Sequence, residues 1–133
     1  MPELPEVQTI VDALIQAEIV GKRIQRASVF WPRTIATSTP QWFCRQIQDK
    51  TIVNVVRRAK YIIFVLSDGI NLAVHLRMTG RFELVRLTAP RSPHVQVVLD
   101  LNDDRCLMFY DTRKFGRFYL TKDLMTVTGS LGT

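Results

Sequence analysis

The chain opens Met1-Pro2-Glu3-Leu4-Pro5-Glu6, which puts an amine and two carboxyl groups within one turn of backbone. With Met1 removed, as is usual before a small residue, Pro2 presents a secondary amine with a pKa at or below the α-amino value of about 8. Part of it is then neutral near neutral pH. A neutral secondary amine attacks the anomeric carbon of a sugar and leaves an iminium, whose positive charge draws electrons in later eliminations. Glu3 and Glu6 are three residues apart, share one face of a helix beside that amine, and supply an acid and a base. The same turn has a plainer reading that these residues alone leave open. A proline opens a helix without losing a hydrogen bond, and acidic side chains in a first turn complement the helix dipole.

A second group of residues speaks for a partner rather than a reaction. The formal net charge is +6, and the excess falls in clusters: Lys22, Arg23 and Arg26; Arg57, Arg58 and Lys60; Arg77 and Arg81; Arg113, Lys114 and Arg117. Clustered positive charge favours a polyanion. Taken singly, Lys60 also reads as an edge charge that blocks aggregation. His75 also reads as a satisfied structural histidine, Met78 and Phe115 as core, and Arg113 as a solvated charge. The two cysteines, Cys44 and Cys106, stand alone among apolar neighbours and read as buried free thiols, so no metal is expected from this segment.

The elements that must hold these residues follow from periodicity. Val7, Ile10, Val11, Leu14 and Ile15 give the rhythm of a helix with one buried stripe, and Gly21 supplies a stop. A short second helix runs to about Ile47, with Ser38 as cap, Pro40 in the first turn and Gln41 closing a capping box. Eight runs rich in β-branched and aromatic residues read as strands: 23–30, 51–57, 61–66, 70–76, 80–87, 94–101, 106–110 and 116–120. Asp68-Gly69 and Asn102-Asp103-Asp104 are the tight turns between neighbours. The expected fold is α+β and mainly β, an antiparallel β-sandwich of about eight strands with an N-terminal helix and one further short helix. Its 133 residues, 47% of them hydrophobic, suffice for the core of one domain. No run reaches the roughly 20 apolar residues of a membrane helix, and the start lacks the order of a signal peptide, so a cytoplasmic protein without membrane partners is expected; a monomer is expected as well.

Four stretches together resemble the formamidopyrimidine-DNA glycosylase family. Pro2-Glu3-Leu4-Pro5-Glu6-Val7 is similar to its opening motif, with Leu4 where the related endonuclease VIII branch typically has glycine. Arg57-Arg58-Ala59-Lys60-Tyr61 resembles the segment of its essential lysine, and His75-Leu76-Arg77-Met78-Thr79-Gly80 its lesion-side loop. Asp111-Thr112-Arg113-Lys114-Phe115-Gly116-Arg117 resembles its second wedge loop. The stretches stand in the family's order across nearly the whole chain. The resemblance implies a bifunctional glycosylase and abasic-site lyase that removes oxidised purines from damaged double-stranded DNA. Pro2 would be its nucleophile, Glu3 the acid at the sugar ring oxygen, and Glu6 a support of the site. Lys60 would be a catalytic residue in contact with a phosphate beside the lesion or with the damaged base, and His75 would hydrogen-bond a phosphate. Met78, Arg113 and Phe115 would enter the stack as the lesion leaves it, a task suited to an adaptable thioether, a flat ring and a stacking guanidinium.

Residues 1–125 are expected to form this catalytic domain, and the Thr-, Gly- and Ser-rich residues 126–133 to begin a linker. The resemblance implies that a helix-two-turns-helix part and a zinc finger with one zinc follow, and a nucleoid-associated bacterial setting. Two other classes fit parts of the pattern. A DNA-binding module without chemistry would keep the basic loops, and a proline tautomerase would use Pro2 but has no use for Met78, Arg113 or Phe115.

Overall fold

The structure, a computed structural model, describes residues 4–128. Helix α1 (Leu4–Gln16) buries Val7, Val11 and Leu14, the i, i+4, i+7 stripe of an amphipathic helix. Ile15 lies off that stripe and is exposed. The helix stops before Gly21. Glu18 takes the left-handed conformation at φ 63° and its N–H donates to the Ile15 carbonyl at 3.0 Å. Gly21, at φ 91°, instead turns the chain toward the first strand, its N–H donating to the carbonyl of Ile52 at 2.7 Å.

Eight strands follow in chain order: β1 (Ile24–Val29), β2 (Ile52–Arg58), β3 (Tyr61–Leu66), β4 (Asn71–His75), β5 (Arg81–Arg86), β6 (Val95–Leu101), β7 (Arg105–Tyr110) and β8 (Arg117–Thr121). They pair antiparallel in two four-stranded sheets, ordered β1-β6-β7-β5 and β2-β3-β4-β8. The sandwich read from the sequence is therefore the observed architecture. Asp68 and Gly69, at φ 64° and 72°, close the β3–β4 turn, and Asp104, at φ 65°, closes β6–β7.

Between β1 and β2, helix α2 (Pro40–Ile47) packs on β1. Its end is where the periodicity put it, but its cap is Thr39 rather than Ser38. The Thr39 hydroxyl accepts from the N–H of Trp42 at 3.1 Å, because Pro40 occupies the first helical position and so fixes the residue before it as the cap. Inside the sandwich every second side chain of the facing strands points inward. Phe64, Phe82, Phe109 and Phe118 form one aromatic cluster, with centroids 5.6 Å apart for Phe64–Phe82, 5.3 Å for Phe82–Phe109 and 5.0 Å for Phe109–Phe118. The buried rings of Phe64, Phe109 and Phe118 each contribute about 1.5–3 kcal/mol by leaving water, and the partly buried Phe82 less.

Residues 125–128 form a helical turn: α3 (Met125–Thr128) is started by Asp123, whose carboxylate accepts from the Met125 N–H at 3.0 Å, and Thr128 is buried. Of the two thiols, Cys106 is buried but Cys44 only partly so.

The topology also decides where the loops go. Residues 76–80 cross from β4 to β5, and residues 111–116 cross back from β7 to β8, each passing from one sheet to the other. Since β4 pairs with β8 (His75 opposite Arg117) and β5 with β7 (Arg81 opposite Tyr110), the two crossings lie side by side at one end of the sandwich.

Candidate functional site

Strand register gathers most of the candidate residues at that end. Tyr61 stands opposite His75, and His75 opposite Arg117, so the two-residue turn Ala59-Lys60 lies beside the loops at 76–80 and 111–116. Ala59 adopts φ 52° there, and Lys60 is half-buried. Arg57, near the end of β2, holds this turn through its guanidinium on the Ala59 carbonyl at 2.9 Å. The same side chain reaches Gln8 of α1, Nε to Oε1, at 3.3 Å. The early turns of α1 therefore meet the sandwich at the loop end. Glu6 lies on this part of the helix and is exposed, while Pro2 and Glu3 lie outside the described residues.

His75 closes β4 with its ring at right angles to Tyr61, centroids 5.1 Å apart. Its Nδ1 accepts from the N–H of Arg77 at 3.0 Å, so the neutral ring carries its proton on Nε2 and can donate there. Burial lowers the pKa of His75, and the positive charges of Arg77 and then Lys60 lower it further. A neutral donor is thus held among cations, in a place suited to an anion.

The two loops present their apolar side chains outward. Met78 is 55% exposed and Phe115 46%. With Arg77 and Arg117 they line a cavity of about 360 Å³. The core reading of both residues therefore fails. Arg113 lies over the Phe115 ring, 5.1 Å from its centroid, and Lys114 over the Trp31 ring at 4.3 Å, each a cation held against an aromatic face. The loop is stiffened from behind, since Nη1 of Arg117 donates to the carbonyls of Lys114 at 3.0 Å and Gly116 at 2.8 Å.

Two residues at this end escaped the reading of the sequence as site residues. Trp31 had no motif to mark it. Asp111 stood in a quoted stretch, but its work depends on a partner 32 residues away: its carboxylate accepts from the Thr79 hydroxyl on the opposite loop. It also accepts from the N–H of Arg113 at 3.1 Å and of Gly116 at 2.6 Å. No sequence signal short of the strand pairing could have joined Thr79 to Asp111.

Chemically, the assembly offers a rim of cations and one neutral imidazole donor around two protruding apolar tips. That suits a polyanion with stacked, flat units. Among the described residues there is no cluster of three or more His, Cys, Asp or Glu able to hold a metal ion, and no helix long and apolar enough to cross a membrane.

Known proteins match this chain in sequence and fold. The chain is 52% identical over 132 residues to a formamidopyrimidine-DNA glycosylase of Protochlamydia amoebophila, covering 99% of this chain and 48% of that protein. It is 43% identical over 120 residues to one of Moorella thermoacetica, covering 90% and 43%. The chain thus spans about half the length of the curated relatives it matches. A solved structure of the Lactococcus lactis protein in complex with DNA containing an abasic site superposes with a TM-score of 0.87 at 35% identity, covering 95% of this chain and 46% of that one. A complex of a G226P mutant of the same protein with DNA containing Fapy-dG gives 0.87 at 36%, covering 95% and 45%. The model of the formamidopyrimidine-DNA glycosylase N-terminal domain matches residues 1–118, and the chain belongs to that family.

Proposed function

We propose that this chain is the catalytic half of a base-excision repair enzyme, a DNA glycosylase and abasic-site lyase acting on oxidised purines in duplex DNA. The observation that carries the reading is the pair of adjacent loops with Met78 and Phe115 exposed at their tips, lining one cavity with Arg77 and Arg117, and with Arg113 over the Phe115 ring. Other exposed apolar residues of the chain lie elsewhere, but these two share the rim of one cavity with cations, and a grouped apolar surface with a polar rim marks a binding site. In this reading the tips enter the stack as the damaged nucleotide swings out, and Arg113 bonds to the base left behind. Lys60 and the Nε2–H of His75 hold phosphates beside the lesion.

The chemistry belongs to Pro2. Its amine bonds to the sugar carbon that carried the base, the base departs, and Glu3 gives a proton to the ring oxygen as the ring opens to an iminium. Glu6 supports this turn. The iminium then draws electrons through two eliminations, which release the phosphates on both sides of the sugar. The tie between Gln8 and Arg57 favours this assignment, because it brings α1 to the loop end of the sandwich. The reading needs no metal or cofactor in this segment, and assigns the family's zinc to a further C-terminal part. It describes a monomer in the bacterial cytoplasm.

The test is covalent trapping. Chain freed of Met1 is mixed with duplex containing an aldehydic abasic site and with a borohydride reductant, and the adduct is mapped by mass spectrometry. Attachment at Pro2, with yield falling sharply when Met1 is retained, is the expected result. Attachment at Lys60 or another lysine refutes the nucleophile. Tight binding without any adduct establishes the non-catalytic binding module instead.

A further inference from the structure

We propose that Asp111 is a positioning residue: its buried carboxylate sets the spacing of the two loop tips and thereby the preference for damaged over intact duplex. The inference rests on the DNA reading above and names what makes that reading selective. Asp111 is 1% exposed. One carboxylate oxygen, Oδ1, takes the Thr79 hydroxyl from the opposite loop and the Arg113 N–H from its own, while Oδ2 takes the Gly116 N–H. Its backbone is held as well, the N–H donating to the His94 carbonyl at 3.0 Å and the carbonyl accepting from Gln96 Nε2 at 3.1 Å. Among the described residues no cation forms an ion pair with this carboxylate. Its charge is met by three donors, two of which flank the Arg113–Phe115 tip while the third is adjacent to Met78.

The fold does not need this bridge. The bases of both loops are already fixed by the pairing of β4 with β8 and of β5 with β7. The bridge acts one level higher, between the residues that carry the tips. Two side chains that must fill one void in a base stack need their supports fixed to within about 0.5 Å. A hydrogen-bonded ion in a site closed to water is a stiff means of doing so. Asparagine cannot replace it, because one of its two polar atoms would present N–H groups to donors.

The experiment measures affinity of the whole chain for a duplex carrying a stable abasic analogue and for the intact duplex, over a range of salt. Hydrogen exchange at the amides of Arg113 and Gly116 is read in parallel without DNA. Thr79→Val removes the bridge but keeps the shape, Thr79→Ser keeps the hydroxyl, and Asp111→Asn removes the acceptor. We expect Thr79→Val to lose about tenfold of the preference for the abasic duplex, the worth of one hydrogen bond to a charged group. Its affinity for intact duplex and its salt slope should match the parent, and Thr79→Ser should retain the preference. Asp111→Asn should lose at least as much and exchange the two amides faster. Preference unchanged in Thr79→Val overturns the proposal while leaving the DNA reading intact, and needs no fold-disrupting variant. A parent chain that binds neither duplex overturns the DNA reading, and the proposal with it; one that binds both equally has no preference to set and overturns the proposal alone. Equal loss on both duplexes in Thr79→Val, with an altered salt slope, overturns positioning in favour of a general structural role.

Discussion

Gly116 has a place for a hydrogen and none for a methyl group. A Cβ built there would lie 2.5 Å from Cζ of Phe109, 3.0 Å from its Cε2 and 3.1 Å from Oδ2 of Asp111. Phe109 cannot yield easily, being 1% exposed and packed between Phe82 and Phe118. In Gly116→Ala the loop either accepts the overlap, at about 1–3 kcal/mol, or slides away and stretches the 2.6 Å bond to the Asp111 carboxylate, a charge-assisted bond worth about 1.5–3 kcal/mol. Either route costs about 2 kcal/mol. For a chain of 133 residues an unfolding entropy of about 2.1 cal/mol/K per residue makes each kcal/mol worth roughly 4 °C, so Tm should fall by about 8 °C. The assay is calorimetry of the parent, Gly116→Ala, Phe109→Leu and the double variant. Because leucine withdraws the offending ring carbon, the double variant should be more stable than the sum of the two losses requires. Additive losses, or an unchanged Tm in Gly116→Ala, would refute the contact argument.

Other consequences are as direct. Met78→Ala and Phe115→Ala should change stability by no more than about 0.5 kcal/mol in urea titrations, as exposed positions do; a loss of about 3 kcal/mol would return them to the core. DNA affinity should fall with salt by a slope of about −0.9 per neutralised phosphate, and Lys60→Gln should reduce the slope by about one unit. A salt-independent affinity would sink the nucleic-acid reading. His75 binds its proton less readily folded than unfolded, through burial first and the charges of Arg77 and Lys60 next. On acidification the unfolded chain therefore takes the proton first, and the stability present at neutral pH drains as pH falls through the ordinary value of 6.5 toward the lower folded one. His75→Asn should flatten urea midpoints in that window, and an equally steep profile in the variant would exclude His75. Burial raises the pKa of both thiols, with Asp100 adding to it at Cys106, so native Cys106 should resist alkylation while unfolded chain reacts freely; mass spectrometry decides.

The parts legible in the sequence were those governed by short-range patterns. β-branched and aromatic content gave all eight strands to within a residue or two, and of the five residues in the helical rhythm Val7, Val11 and Leu14 are the buried stripe of α1 while Ile15 is exposed. What failed was fixed by longer-range geometry or by single capping contacts. Gly21 read as a helix stop because glycine tolerates positive φ, yet Ile52 claims its N–H and Glu18 takes the left-handed position. Ser38 is by type the better cap, and the preference of Pro40 for the first helical position selects Thr39 instead. The turn at 125–128 hides in polar composition because one carboxylate, Asp123, starts it. Met78 and Phe115 read singly as core, and the cavity between them needed the topology, since the loops meet only through strands far apart in the chain.

The same topology explains how a rim built from loops is rigid. A loop between paired neighbours in one sheet is a hairpin with a free tip. Each of these loops instead passes from one sheet to the other, so its two ends are anchored in different layers of the sandwich. Both also come down on the same ring. The Cβ that Gly80 lacks would lie 2.9 Å from Cζ of Phe109, and the one Gly116 lacks 2.5 Å from that atom. One core phenylalanine is therefore the floor under both loops, and Asp111, two residues on, is the bridge above it. Motion of either tip must disturb a buried ring or a hydrogen-bonded buried ion. The exposed side chains at 78 and 115 thus stand on closely packed supports, so contact energy gained at these tips is not spent on ordering a flexible loop.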